Sequence, residues 1–198
     1  MLDAAADVFA QHGIEAPMNL VAERAGVGKG TLYRHFVDRD ALMQGLADRL
    51  QERYATIARE AENAASGWDG LLTYIDGVTS MYFELPWMVV VRARARRVSS
   101  TKGQAERDFR LVLERAWAEG SLRTDVDLTD LAFVTSALGG LAEISEPVRS
   151  VVLARLRGVV LDGLRAEGSP RPPLSAPPLE IEHLRDYLQG QDGTPDAD

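Results

Sequence analysis

Six side chains able to grip a polyanion fall within a short stretch: Lys29, Thr31, Tyr33, Arg34, His35 and Arg39. Lys29 and Arg34 can donate to guanine O6 and N7, and Gly30 would let the start of a helix approach base edges closely. Thr31, Tyr33 and His35 add hydroxyl and imidazole donors for phosphate or bases. Other chemistry fits these residues poorly. GVGKGT superficially suggests a phosphate-cradling loop. That loop needs glycine five positions before its Gly-Lys pair and Ser or Thr directly after it. Glu23 and Gly30 occupy those positions. His12, His35 and His183 are the three histidines, and cysteine is absent. Glu180-x-x-His183 is one copy of a pattern that a di-iron bundle needs twice. No GxSxG elbow is present. Neither a catalytic constellation nor a metal or cofactor site is expected.

The elements that must position those donors are two short helices. Val21 and Ala25 repeat at helical spacing, as do Leu32 and Phe36, so each helix has one apolar stripe for a shared core. Gly26 falls where a left-handed residue ends the first helix, Val27 turns inward, and Gly28 opens the second. Two helices joined by such a turn form a helix-turn-helix, whose second helix enters the DNA major groove. Leu2 to Gly13 is an amphipathic helix with Leu2, Ala5, Ala6 and Phe9 on one face, placed to brace the motif. Pro17 suits a loop or helix start, and Asn19 is the expected N-cap. Asp38-Arg39-Asp40 caps a further helix that runs through Leu42, Leu46 and Leu50 toward Ala65.

The segment AERAGVGKGTLYRHF, followed by Asp38, Arg39, Asp40 and Leu42, resembles the DNA-binding domain of TetR-family (tetracycline-repressor-like) bacterial transcription regulators. The resemblance spans Leu2 to Leu46. It implies base-edge contacts by Lys29, Gly30 and Tyr33, and backbone or nearby base contacts by Thr31, Arg34, His35 and Arg39. Family members usually carry a basic extension before the first helix and threonines near residue 17. Here the sequence starts at the first turn and has Pro17 and Met18, so neither contact is carried over.

Charge tempers this reading. The net charge is −8. Residues 1–53 hold Arg24, Lys29, Arg34, Arg39, Arg49 and Arg53 against Asp3, Asp7, Glu15, Glu23, Asp38, Asp40, Asp48 and Glu52. Binding to nucleic acid must rest on where the cations sit, because only the face turned to phosphates counts. No apolar run reaches the ~18 residues of a membrane span. The acidic MLDAAADVFA lacks the positive start of a signal peptide, so a cytoplasmic protein is expected.

From Trp68 on the chain is helical in period, with breaks at Pro86, Ser99–Gly103, Gly120–Asp127 and Glu146-Pro147. Trp68, Tyr74, Met81, Tyr82, Trp87, Met88, Phe109 and Trp117 concentrate large, adaptable side chains. Such residues line ligand pockets and also fill ordinary cores. Arg92 is either part of a solvated arginine face with Arg94, Arg96 and Arg97, or an anion anchor at a pocket rim. Asp127 and Asp130 start a helix expected to reach Ser145. Gly139-Gly140 in its middle would cost about 2 kcal/mol relative to alanines, which implies close approach of another helix or a kink beside a pocket. After Pro147 two apolar stripes run along one helix: Val148, Val152 and Val159, then Leu153, Leu156, Val160 and Leu164. Burial on two sides follows, one of them against a partner. In the resembled family the last two long helices form a four-helix dimer interface, and Leu128, Leu131, Leu138, Gly139, Val148, Val152 and Val159 match that layout. SPRPPLSAPP (169–178) reads as an extended linker, Leu179–Leu188 as a short helix, and Gly190 onward as disordered.

The expected architecture is all-α. A helix-turn-helix head occupies 1–47, a larger ligand-binding and dimerisation body 48–168, and a Pro-rich linker and tail 169–198. The expected function is a homodimeric repressor of double-stranded operator DNA, released by a small-molecule effector, with no enzymatic or membrane role. The alternative is a helical small-molecule binding module without specific DNA binding.

Overall fold

The computed structural model describes residues 1–85, 87–88, 104–169 and 173–174. Arg92 and most of the tail after Ser169 lie outside them. Among the described residues there are eight α-helices: α1 Leu2–His12, α2 Met18–Arg24, α3 Lys29–His35, α4 Arg39–Glu62, α5 Gly67–Glu84, α6 Gln104–Ala118, α7 Leu128–Gly139 and α8 Val148–Leu164. A 3-10 turn, Gly140–Glu143, follows α7.

Helices α1, α2, α3 and the start of α4 form the head around Ala5, Phe9, Val21, Leu32, Leu42 and Leu46, all nearly or fully buried. The same apolar cluster continues through Ile57 of α4 into Val78, Met81 and Tyr82 of α5. Helix α4 therefore crosses the expected 47/48 boundary and belongs to both units. A second cluster fills the body, where Ala58 and Ala61 of α4 meet Leu71 and Ile75 of α5, Phe109 and Leu113 of α6, Leu131 of α7 and Leu161 of α8.

Close helix approach in the body depends on glycine. A Cβ at Gly67 would lie 2.4 Å from the Ala116 amide nitrogen, and one at Gly70 would lie 2.5 Å from the Ala61 carbonyl oxygen. The starts of α4 and α7 carry side-chain caps. Asp38 accepts from the Ala41 amide at 2.8 Å, and Asp127 accepts from the Thr129 amide at 2.7 Å while Asp130 reaches back to the Asp127 amide at 2.9 Å. Hydrogen bonds from the Thr129 hydroxyl and from the Thr129 and Asp130 amides hold the Asp127 carboxyl below the usual carboxylate range.

Several boundaries differ from expectation. Helix α2 begins at Met18, with Pro17 as cap and no side-chain capping bond, so Asn19 lies inside the first turn. Helix α4 stops at Glu62 rather than Ala65. Helix α7 ends at Gly139, six residues before Ser145, and tightens into the 3-10 turn. At the end of α7 a Cβ on Gly139 would sit 2.3 Å from Cγ of Tyr82. The glycine there permits the close approach of α5.

A paired substitution checks this. Gly139→Ala forces overpacking against the Tyr82 ring and should lower unfolding free energy by about 1–3 kcal/mol. Gly140 has helical dihedrals and open space around its missing Cβ. Gly140→Ala should therefore be neutral or raise stability by about 0.4–1 kcal/mol. Urea titration of both variants reads the difference.

Candidate nucleic-acid interface

The turn before α3 is built by backbone chemistry. Gly26 adopts φ +66°. Its amide donates to the Glu23 carbonyl at 3.0 Å, and the Val27 amide donates to the Ala22 carbonyl at 3.0 Å. This pair of bonds is the Schellman closure of α2. Val27 then packs partly buried against the head cluster. Gly28, extended at φ −68°, leads directly into α3.

Helix α3 is two turns long, and its single fully buried side chain is Leu32. Lys29, Gly30, Tyr33, Arg34 and His35 are all exposed, and Thr31 is partly buried. Tyr33 leaves half its surface in water although it is a large aromatic. The Arg34 guanidinium lies back along its own helix, with Nε 3.4 Å from the Gly30 carbonyl and Nη2 3.3 Å from Thr31 Oγ1. Those contacts are long and exposed, so Arg34 can swing outward at little cost. Val37, just past α3, is also largely exposed.

Two cations of this neighbourhood are already engaged. Arg24 is bound to Asp7 by Nη2 at 2.8 Å and Nε at 3.1 Å. Arg39 donates to the carbonyls of Ile14 and Glu15, and its guanidinium stands 6.0 Å from the Phe9 ring centroid. Arg39, expected to make backbone or nearby base contacts with DNA, here ties the start of α4 to the α1–α2 loop. An arginine at a helix start reads as a surface cation in sequence, and only the fold brings those carbonyls to it.

At the head–body junction, α1, α4 and the end of α5 enclose an open cleft of about 400 Å³ lined by Asp3, Asp7, Arg49, Arg53, Glu84 and Trp87. Arg49 pairs with Asp3, and Arg53 with Glu84 at 2.7 Å. The Arg49 hydrogen bond and charge hold the Asp3 carboxyl below its ordinary range.

The residue set expected to line an effector pocket is dispersed. Met81, Tyr82, Trp87 and Met88 belong to the cluster shared with the head, whereas Trp68 and Phe109 belong to the body cluster. Tyr74 bridges them, stacked on Phe109 with ring centroids 3.4 Å apart. The Tyr82 hydroxyl is 2.8 Å from Ser136 Oγ, and Trp117 donates to the Arg123 carbonyl at 3.2 Å. Met81, Met88 and Phe109 are fully buried core residues. Clustering in sequence thus marked core as much as cavity.

The expected dimer residues also divide. Leu131 and Leu138 are buried inside the chain and Gly139 faces Tyr82, so these three are corrected to intrachain packing. Leu128, Val148 and Val152 are partly buried. Phe133 is 76% exposed and Val159 55%. Leu156, at 43% exposure, sits with Val152 and Val159 by its four- and three-residue spacing, not with Leu153 and Leu164. Leu153 and Val160 pack on the body cluster and Leu161 and Leu164 are buried in it.

With this geometry in place, known proteins add their weight. The family model for bacterial regulatory proteins of the tetR family matches residues 1–46. The HTH-type transcriptional repressor KstR2 of Rhodococcus jostii (strain RHA1) is 28% identical over 145 residues, covering 67% of this chain and 71% of that protein. The chain belongs to the TetR family. The A-factor receptor protein of Streptomyces griseus is 34% identical to this TetR-family chain over 97 residues, covering 48% of it and 32% of the receptor. Among solved structures, the TetR transcriptional regulator SCO0520 of Streptomyces coelicolor superposes with a TM-score of 0.56 at 28% identity, over 84% of this chain and 97% of that one. This TetR-family protein is a DNA-binding transcriptional regulator. No helix among its described residues is long and apolar enough to cross a membrane.

Proposed function

We propose that the chain is a cytoplasmic, homodimeric repressor that holds a palindromic operator until a small molecule enters its helical body. The observation that carries the DNA-reading part is the face of α3. Leu32 alone anchors that helix, which leaves Lys29, Gly30, Tyr33, Arg34 and His35 to water. In this reading Lys29, Tyr33 and Arg34 meet base edges, Gly30 permits close approach, and Thr31 and His35 meet the backbone. The exposed Phe133, Leu156 and Val159 support a partner helix pair.

Control follows from α4, which spans head and body. An effector that binds better to the state with wrongly spaced heads lowers operator affinity by its differential affinity for the two states. The ion pairs in the head–body cleft would differ between those states. Half-sites should be separated by one helical turn or a multiple, because a two-fold dimer presents both α3 helices to one face of the duplex.

A second reading is favoured by the −8 net charge and by the internal engagement of Arg24 and Arg39. It is a helical binding module without specific DNA binding. Fluorescence anisotropy on duplexes from the DNA flanking the coding region separates the two. The repressor reading expects one duplex bound well above scrambled DNA, with affinity falling steeply as salt rises. Equal, weak binding to both duplexes would leave the binding-module reading.

A further inference from the structure

At the end of the body away from the head, α5 and α8 leave a pocket of about 230 Å³. Trp68 and Leu72 of α5, Leu161 of α8 and Leu174 supply its apolar wall, and Asp162 and Arg165 supply its charge. Leu174 settles there because residue 158 is glycine: a Cβ at Gly158 would stand 2.8 Å from Leu174 Cδ2. The volume is below the ~300–1,000 Å³ of sites for drug-sized ligands, so the occupant is a molecule of few heavy atoms.

The charged groups of this pocket are incompletely used. Arg157, also on its rim, is paired with Asp76 through Nη2 at 2.6 Å. Arg165 instead lies over the Trp68 ring, 4.2 Å from its centroid, and its Nε is sealed from water without an acceptor. Asp162 lies in the last turn of α8 and Arg165 is the extended residue that caps it, yet the two form no ion pair. Among the described residues neither has any other side-chain partner. The guanidinium and the carboxylate, both partly buried and flanking one apolar wall, lose hydration, and among the described residues neither gains an ion pair in return; Arg165 has only the Trp68 ring.

We propose that this pocket binds a small zwitterion with an apolar side chain, of the α-amino-acid type. The ligand carboxylate pairs with Arg165, which Trp68 holds in place. The ligand ammonium pairs with Asp162, and the side chain covers Leu72, Leu161 and Leu174. A simple carboxylate would satisfy Arg165 but face Asp162 with like charge, and a simple amine would do the reverse. The site goes beyond the proposed repressor function and does not depend on it, because α5 carries the pocket at its start and the head–body cleft at its end. Leu72 and Glu84 are separated by about 18 Å along that helix.

The test is isothermal titration calorimetry of the full chain with three probes: L-leucine, 4-methylpentanoate and 3-methylbutylamine. Leucine should bind saturably and at least tenfold more tightly than either half-ligand. Asp162→Asn should reduce leucine to the level of 4-methylpentanoate, and Arg165→Gln should abolish binding of both acids. Thermal melts establish that the variants fold. Should Arg165→Gln fail to fold, the three-probe comparison and Asp162→Asn decide alone, since Asp162 has no side-chain partner to lose among the described residues. Absence of saturable heat from leucine up to about 10 mM, the edge of meaningful affinity on the millimolar scale, would overturn the assignment. So would equal binding of all three probes, or leucine binding untouched by Asp162→Asn. None of these readouts involves DNA, so failure here is distinct from failure of the repressor reading.

Discussion

Phe133→Asp or Val159→Asp should each convert a dimer of about twice 21.7 kDa into a folded monomer. Both side chains stand mostly in water within one subunit, at 76% and 55% exposure. A carboxylate there costs the isolated subunit little. In a dimer built on this face the same carboxylate is buried without a partner, which costs several kcal/mol. Loss of the second head then removes the effective-concentration advantage of a two-site operator, a drop of roughly 10²–10⁴ in affinity. Leu131→Asp is the control. Leu131 is fully buried inside the chain, so its substitution should unfold the subunit and leave no monomer to detect. Sedimentation separates these outcomes. A Phe133→Asp protein that stays dimeric and binds operator as before would put the interface on another surface.

The contrast between Leu131 and Phe133 also marks what sequence could and could not convey. Helix α7 reads LTDLAFVTSALG, apolar nearly all round, so periodicity announces burial on two sides without saying which side is inward. Leu156 was misplaced for a related reason, since it lies between two stripes only about 100° apart on α8. Features set by local chemistry were legible. The Gly26 turn, the Asp38 cap and the Asp127–Asp130 cap all follow from residue types at fixed offsets. The outward side chains of α3 were legible too, because one apolar residue per turn leaves the others to water. Features set by contacts distant in sequence were not. Gly67 and Gly70 gave no signal of the backbones of α6 and α4 against them, and Arg39 gave none of the Ile14 and Glu15 carbonyls. The pocket between Trp68 and Arg165 joins residues nearly a hundred positions apart, which no spacing rule connects.

Arg39 supplies the sharpest comparison with Lys29, for the two cations now have different expected work. Lys29 is exposed at the start of α3 and makes no hydrogen bond or ion pair among the described residues, so Lys29→Ala should leave the melting temperature unchanged. It should cost on the order of 1–3 kcal/mol in operator binding and relax preference at one base pair. Arg39→Ala removes two charge-assisted bonds to backbone carbonyls. Such bonds contribute about 1.5–3 kcal/mol when well buried. Here one is exposed and the other half-buried, so a loss of about 1–2 kcal/mol in head stability is expected. The salt dependence of DNA binding then discriminates. If Arg39 is committed to the loop, its removal leaves the slope unchanged once the protein is fully folded; a guanidinium also touching phosphate would take roughly one unit from it. Arg34→Ala should behave like Lys29→Ala, because the loose contacts of Arg34 to Gly30 and Thr31 contribute little to the fold. If Lys29→Ala and Arg34→Ala both leave affinity, base preference and salt slope untouched, α3 does not read DNA, and its exposed face has some other partner.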